Sequence, residues 1–167
     1  MHDKLTRQDV QKMQEELDYR RITKRPELLE AVKVARSFGD LSENFEYSAA
    51  KKEKNANESR IRYLERMIET AVIIEDHSGE DEIGLYDKVV VYCEDIDEEE
   101  TYQIVTTMRE DALRGLISRE SPVGKALLGH KAGDTVKVTA DNGYSYEMQI
   151  RSVEKGQDDG SIPIASF

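Results

Sequence analysis

A single cysteine, Cys93, excludes an intrachain disulfide and a thiolate zinc site, and a lone cysteine in an apolar run reads as a small buried hydrophobe. The three histidines, His2, His77 and His130, are scattered, so no protein metal cage is expected. Three prolines and 10 glycines are few for 167 residues, which favours long regular elements. No apolar run approaches the ~20 residues that span a bilayer, and a start with Asp3 and no apolar core segment does not read as a signal peptide. A cytoplasmic protein without a membrane partner is therefore expected. Positive charge is also short, 24 Lys and Arg against 35 Asp and Glu. The shortage is local: residues 1–75 carry 15 of each sign, whereas residues 76–167 carry 9 positive and 20 negative, the whole net charge of −11. A domain of that sign gains nothing from phosphate counterion release, so any role on DNA or RNA has to pass through a partner. The cluster Glu94, Asp95, Asp97, Glu98, Glu99 and Glu100 reads as solvated surface charge.

What is present in the first half is helical periodicity. Val10, Met13 and Leu17 recur at spacings of three and four and predict a helix over 1–21. The pattern falters across Arg20 to Arg25. Pro26 then opens a second segment, where Leu28, Ala31 or Val32, Ala35 and Phe38 continue the apolar stripe to Gly39. Beyond the break, Tyr47, Ala50, Ile61, Leu64, Ile68 and Ala71 supply an opposing stripe, with 61, 64, 68 and 71 at the 3,4,3 spacing of a coiled-coil seam. Matched lengths on either side of Gly39 predict an antiparallel hairpin over residues 1–75. An arm of roughly 30 residues at ~1.5 Å per residue reaches about 45 Å, so its tip stands well clear of its base. The stretch 51–60 is almost wholly polar and predicts weak packing near the tip, with pairs such as Glu58–Arg62 adding a few tenths of a kcal/mol.

The second half changes period. Residues 76–84 form an acidic, glycine-flanked linker, and β-like runs follow at 86–93, 101–107, 115–118, 134–140 and 144–153. Asp141-Asn142-Gly143 is a hairpin turn, and Ser121 to Gly129 a short helix capped by Ser121 with Pro122 in its first turn. The expectation for 85–155 is a small domain with a twisted antiparallel sheet, followed by a loose tail at 156–167. The fold class is α+β.

The candidate site is the helical break at 36–47. Gly39 suits a chain reversal, and Asp40, Ser42 and Asn44 can each bond nearby amides. Asp40 and Glu43 lie three apart, so two carboxylates could project from the far end of the hairpin. From the residues alone they read as cap residues, with Asp40 or Ser42 capping and Glu43 facing a helix N-terminus.

The run Arg25-Pro26-Glu27, Ala35-Arg36, Gly39-Asp40-Leu41-Ser42-Glu43-Asn44, Glu46-Tyr47 and Ala49-Ala50-Lys51 resembles the coiled-coil signature of the bacterial Gre transcript cleavage factors. Leu116-Ile117-Ser118, Ser121 to Gly129 and Gly133-Asp134-Thr135-Val136 are similar to that family's C-terminal, FKBP-like domain. The likeness covers nearly the whole chain, and Gly-Asp-Leu with the acidic balance points to the GreA branch. It implies a transcription elongation factor that is not itself an enzyme. Such a factor enters the secondary channel of RNA polymerase and helps it cleave a backtracked transcript. Asp40 and Glu43 would help hold a catalytic Mg²⁺ belonging to the polymerase, with no cofactor bound stably by the free chain. Arg36 and Lys51 match positions thought to contact the RNA 3′ segment, and Asn44, Phe45 and Tyr47 would shape the tip. Ser121, Pro122 and Lys125 fall in the expected docking region at the channel rim. A monomer is expected. The sequence departs from the family at Phe45, usually Ala, and at Ser48, often His. Two other classes remain: a channel-binding inhibitor without cleavage, and a peptidyl-prolyl isomerase carried by the FKBP-like domain. The second half, with no Trp and no Phe before the tail, has few aromatics for a proline pocket.

Overall fold

The computed structural model describes residues 2–39 and 44–166. One unit holds Val10–Ala71; the other holds Asp3–Asp9 together with Val72–Ser166. In chain order the elements are β1 (Lys4–Leu5), α1 (Arg7–Tyr19), a π-helical turn (Arg20–Lys24), α2 (Arg25–Arg36), α3 (Phe45–Thr70), β2 (Val72–Ile73), β3 (Lys88–Cys93), β4 (Glu98–Val105), β5 (Leu116–Ser118), α4 (Pro122–Leu127), β6 (Thr135–Thr139) and β7 (Ser145–Glu154). The fold is α+β, a helical hairpin and a sheet domain. Among the described residues no helix is long and apolar enough to cross a membrane.

The helical unit follows the apolar stripes at its base and departs from them in the middle. Met13, Leu17, Leu28 and Ala35 are buried on one side of the seam, Ile61 and Leu64 on the other. The expected break at 20–25 is a continuous π-helical turn, closed by the Arg25 amide donating to the Arg20 carbonyl. Pro26 supplies the reason: it has no N–H to give to the carbonyl four residues back, so the ladder changes pitch ahead of it. Ile22, the apolar residue of that turn, is left 73% exposed.

Opposite this turn the polar stretch of α3 is packed, contrary to the weak seam expected there. Arg60 donates from Nε to Glu16 at 2.7 Å, Arg20 donates to Glu16 at 2.8 Å and to Asn57 at 2.9 Å, and both Asn57 and Arg60 are buried. Arg25 forms two bonds to the Glu58 carboxylate, at 2.8 and 3.0 Å, so Glu58 pairs across the hairpin and not with Arg62. Polar groups that satisfy one another in this way avoid the cost of leaving a buried charge or amide unpaired.

The sheet unit has strand order β5-β4-β3-β7-β6. Within this five-stranded sheet the pairings are antiparallel except β4–β5, which is parallel, a correction to the antiparallel sheet expected. Alternation on β3, β7 and β6 puts Val89, Val91, Met148, Ile150, Val136 and Val138 on one buried face. Helix α4 follows one edge strand and precedes the other, and Leu127 is fully buried in that core. Gly124 admits the close fit: a Cβ there would stand 2.1 Å from the Ser118 carbonyl oxygen.

Asp3–Asp9 and the tail up to Ser166 belong to this unit. Residues 4–5, expected as helix, pair in parallel with Val72–Ile73, and α1 begins only after Thr6, whose hydroxyl accepts from the Asp9 amide while Asp9 accepts from the Thr6 amide. The tail expected to be loose is docked. Arg109, itself buried, donates to the Ile162 carbonyl at 2.8 Å and to Asp158 at 2.8 Å, Ala165 donates to the Met108 carbonyl at 2.6 Å, and Ile162 is in the core. The reason it escapes a pattern search is that its anchor is one buried arginine and one isoleucine, with no periodicity.

Candidate functional site

Helix α2 runs out at Ser37, whose amide and hydroxyl both donate to the Val34 carbonyl, and Gly39 adopts φ +113°, a conformation open to glycine. Asp40, Leu41, Ser42 and Glu43 lie outside the described residues, and with them both candidate metal ligands. The chain resumes at Asn44, which caps α3. Its Oδ1 accepts from the Tyr47 amide at 2.9 Å and its Nδ2 donates to the Ala35 carbonyl at 2.7 Å. One side chain thus starts the second helix and ties it to the end of the first.

Beside this cap stand the cations expected from the sequence. The Arg36 guanidinium lies 5.6 Å and the Lys51 ammonium 5.9 Å from the Tyr47 ring centroid, so both flank one aromatic face. The Arg36 side-chain hydrogen bond lowers the pKa of the Tyr47 phenol, and the charges of Lys51, Arg36 and Lys54 act in the same direction, outweighing the opposing effect of burial. Phe45, in the first turn of α3, is 87% exposed and Phe38 65%. Arg36, Asn44, Phe45, Tyr47 and Lys51 are thus gathered at the turn end of the hairpin. Among the described residues no three His, Cys, Asp or Glu side chains come together as a metal cage.

Ser121, Pro122 and Lys125 sit together at the start of α4 in the sheet unit. The Ser121 hydroxyl accepts from the Gly124 amide at 3.0 Å and donates to the Ser118 carbonyl at 2.6 Å, a capping role that holds α4 on β5. Sequence reasoning passed over Leu113, wholly exposed in the turn before β5, and over a group of tyrosines, Tyr102, Tyr144 and Tyr146, at the end of the sheet. A lone leucine in a polar loop carries no periodic signal, and the tyrosines are brought together only by strand pairing.

The chain matches two family sequence models in succession: "Transcription elongation factor, N-terminal" over residues 4–73, and "Transcription elongation factor, GreA/GreB, C-term" over residues 77–155. The chain belongs to the GreA/GreB family of transcription elongation factors. It is 44% identical over 151 residues to transcription elongation factor GreA of Staphylococcus carnosus, covering 90% of this chain and 94% of that protein. To the GreA of Staphylococcus epidermidis it is 46% identical over the same length and coverage. Among solved structures it is similar to GreA factor homolog 1 (Gfh1) of Thermus thermophilus, 31% identical, with 93% of this chain and 100% of that one covered and a TM-score of 0.40. As a GreA/GreB-family member the chain is a factor in transcription elongation and not a free-standing enzyme.

Proposed function

We propose that the chain enters the secondary channel of bacterial RNA polymerase hairpin first and stimulates the polymerase to cleave a backtracked transcript. The observation that carries this reading is the pairing of Arg36 and Lys51 over Tyr47 at the turn end of the hairpin, a few residues in sequence from Asp40 and Glu43. Cations held against an aromatic ring suit the phosphates and bases of a single RNA strand. Asn44 keeps the two helices together at the turn, and Phe45 and Tyr47 shape it. Asp40 and Glu43 bring hard oxygen donors, the kind Mg²⁺ takes, but two side chains fill only part of an octahedral shell that also keeps waters. The donor set therefore fits an ion shared with the polymerase and not one owned by this chain. When bound, such an ion lowers the pKa of its water and stabilises charge on the attacking and leaving oxygens. Ser121, Pro122 and Lys125 are the proposed docking contacts at the channel rim. The protein acts as a cytoplasmic monomer in this reading, and meets RNA only within the polymerase.

The test is cleavage in a stalled, backtracked elongation complex with Mg²⁺, comparing wild type with Asp40→Ala and Glu43→Ala while polymerase binding is measured in parallel. A loss of about 100-fold, about 2.7 kcal/mol of transition-state stabilisation, with binding unchanged is the expected result. The 87% exposure of Phe45 favours a second reading, a channel plug that inhibits. A wild type that binds and slows elongation without stimulating cleavage selects that reading.

A further inference from the structure

At the end of the sheet where β3 turns into β4 there is a cleft of about 200 Å³. Its floor is Cys93 and Met148, 5% and 1% exposed, and its walls are Tyr102, Tyr144 and Tyr146, with Glu100 and Asp95 at the rim. Tyr144 and Tyr146 stack with ring centroids 6.0 Å apart, and Tyr144 is 60% exposed. Pockets for drug-sized ligands start at roughly 300 Å³, so this one has the size of a single long side chain.

Its electrostatics have one sign. Burial and then Glu100, Asp95 and Glu98 push the Cys93 thiol up, and burial, Cys93, Glu100 and Tyr144 push the Tyr146 phenol up. Tyr102 donates its hydroxyl to one oxygen of Glu100, and a carboxylate has room for further donors. Phosphates are repelled by such a rim, which excludes nucleic acid as the occupant. A guanidinium is complementary to both parts: it stacks on aromatic faces and forms paired hydrogen bonds with carboxylates, while its aliphatic stem suits an apolar floor. We propose that this cleft receives an arginine side chain carried on a basic segment of a partner polypeptide, stacked against Tyr144 and Tyr146 with its charge at Glu100. The inference stands apart from the role given to the hairpin tip.

The probe is a blocked Gly-Ser-Arg-Gly-Ser peptide and its citrulline twin, which keeps the shape and loses the charge. Each is titrated into the full chain while the Met148 methyl and tyrosine ring resonances are followed. The arginine peptide is expected to saturate these shifts, to bind roughly fivefold more tightly than the citrulline peptide, and to weaken with added salt. Glu100→Gln, which keeps the side-chain shape, and Tyr144→Ala, at an exposed position, are each expected to cost a similar factor. Equal binding of the two peptides overturns the proposal using the wild type alone. So does a response spread along residues 94–99 and indifferent to Tyr144→Ala, the mark of diffuse attraction, or saturation by an Ala-Pro peptide where the arginine peptide fails.

Discussion

The Arg109 guanidinium meets the Asp9 carboxylate at 2.7 Å with both side chains wholly out of solvent. The same arginine holds Asp158 at 2.8 Å, so one cation joins residues 149 positions apart in the chain. Removing one partner of a buried pair leaves a charge uncompensated. Asp9→Ala is expected to cost about 3 kcal/mol, the low end for such a loss because Asp158 remains, and to lower the urea midpoint of the full chain. Asp9→Asn, which can still accept from the Thr6 amide, is expected to cost about half of that.

Glu16 gives the helical unit a pH dependence. Burial alone would raise its pKa, but hydrogen bonds from Arg60 and Arg20, with their charges, outweigh it and hold the carboxyl below its ordinary 4.5. A group depressed by folding stabilises fully above its unfolded value and loses that contribution as pH falls through the lower folded value. Melts by circular dichroism should therefore show wild type above Glu16→Gln near neutral pH. The gap should shrink once the pH drops below 4.5.

Asn44 has two separable duties. Asn44→Ala removes the α3 cap and the tie to Ala35, and is expected to destabilise the hairpin by about 1 kcal/mol or somewhat more. Asn44→Asp keeps the cap and loses the donor to Ala35. Hydrogen exchange should then show the first turn of α3 protected in the Asp variant and open in the Ala variant.

Arg36 is exposed and packs on the half-buried Tyr47 ring, so its removal should leave the fold alone. On the proposed function Arg36→Ala lowers transcript cleavage about 10-fold, about 1.4 kcal/mol, with polymerase binding and helicity unchanged. Equal cleavage by wild type and variant assigns the Arg36–Tyr47 contact to local structure.

Much of this was legible because it is periodic or punctuated. The apolar positions Met13, Leu17, Ile61 and Leu64, the Ser121 cap and the turn at Gly143, φ +87°, all stand where spacing and turn chemistry put them. What escaped depends on distant partners. The run Glu98–Glu100 reads as solvated charge, yet it opens β4 by pairing with Cys93, Tyr92 and Val91. Asn57 and Arg60 fall in the polar stretch that predicts weak packing, because their partners, Arg20 for Asn57 and Glu16 for Arg60, lie across the hairpin. At the tip, the sequence names Asp40 and Glu43, and the described residues bracket them with the Asn44 cap and the Arg36–Tyr47–Lys51 group.

The two-residue strands β1 and β2, with Lys4 opposite Val72 and Leu5 opposite Ile73, are parallel neighbours, and parallel neighbours require a crossover between them. Here the crossover is the entire hairpin. In connectivity it is an insertion within the sheet domain and not a module placed before it, so exchanging hairpins between relatives takes two joints, after Asp9 and before Val72. A chimera spliced once, in the acidic connector, would set Asp9 from one parent against Arg109 from the other. The order of the pieces along the gene is not the order in which they can be traded.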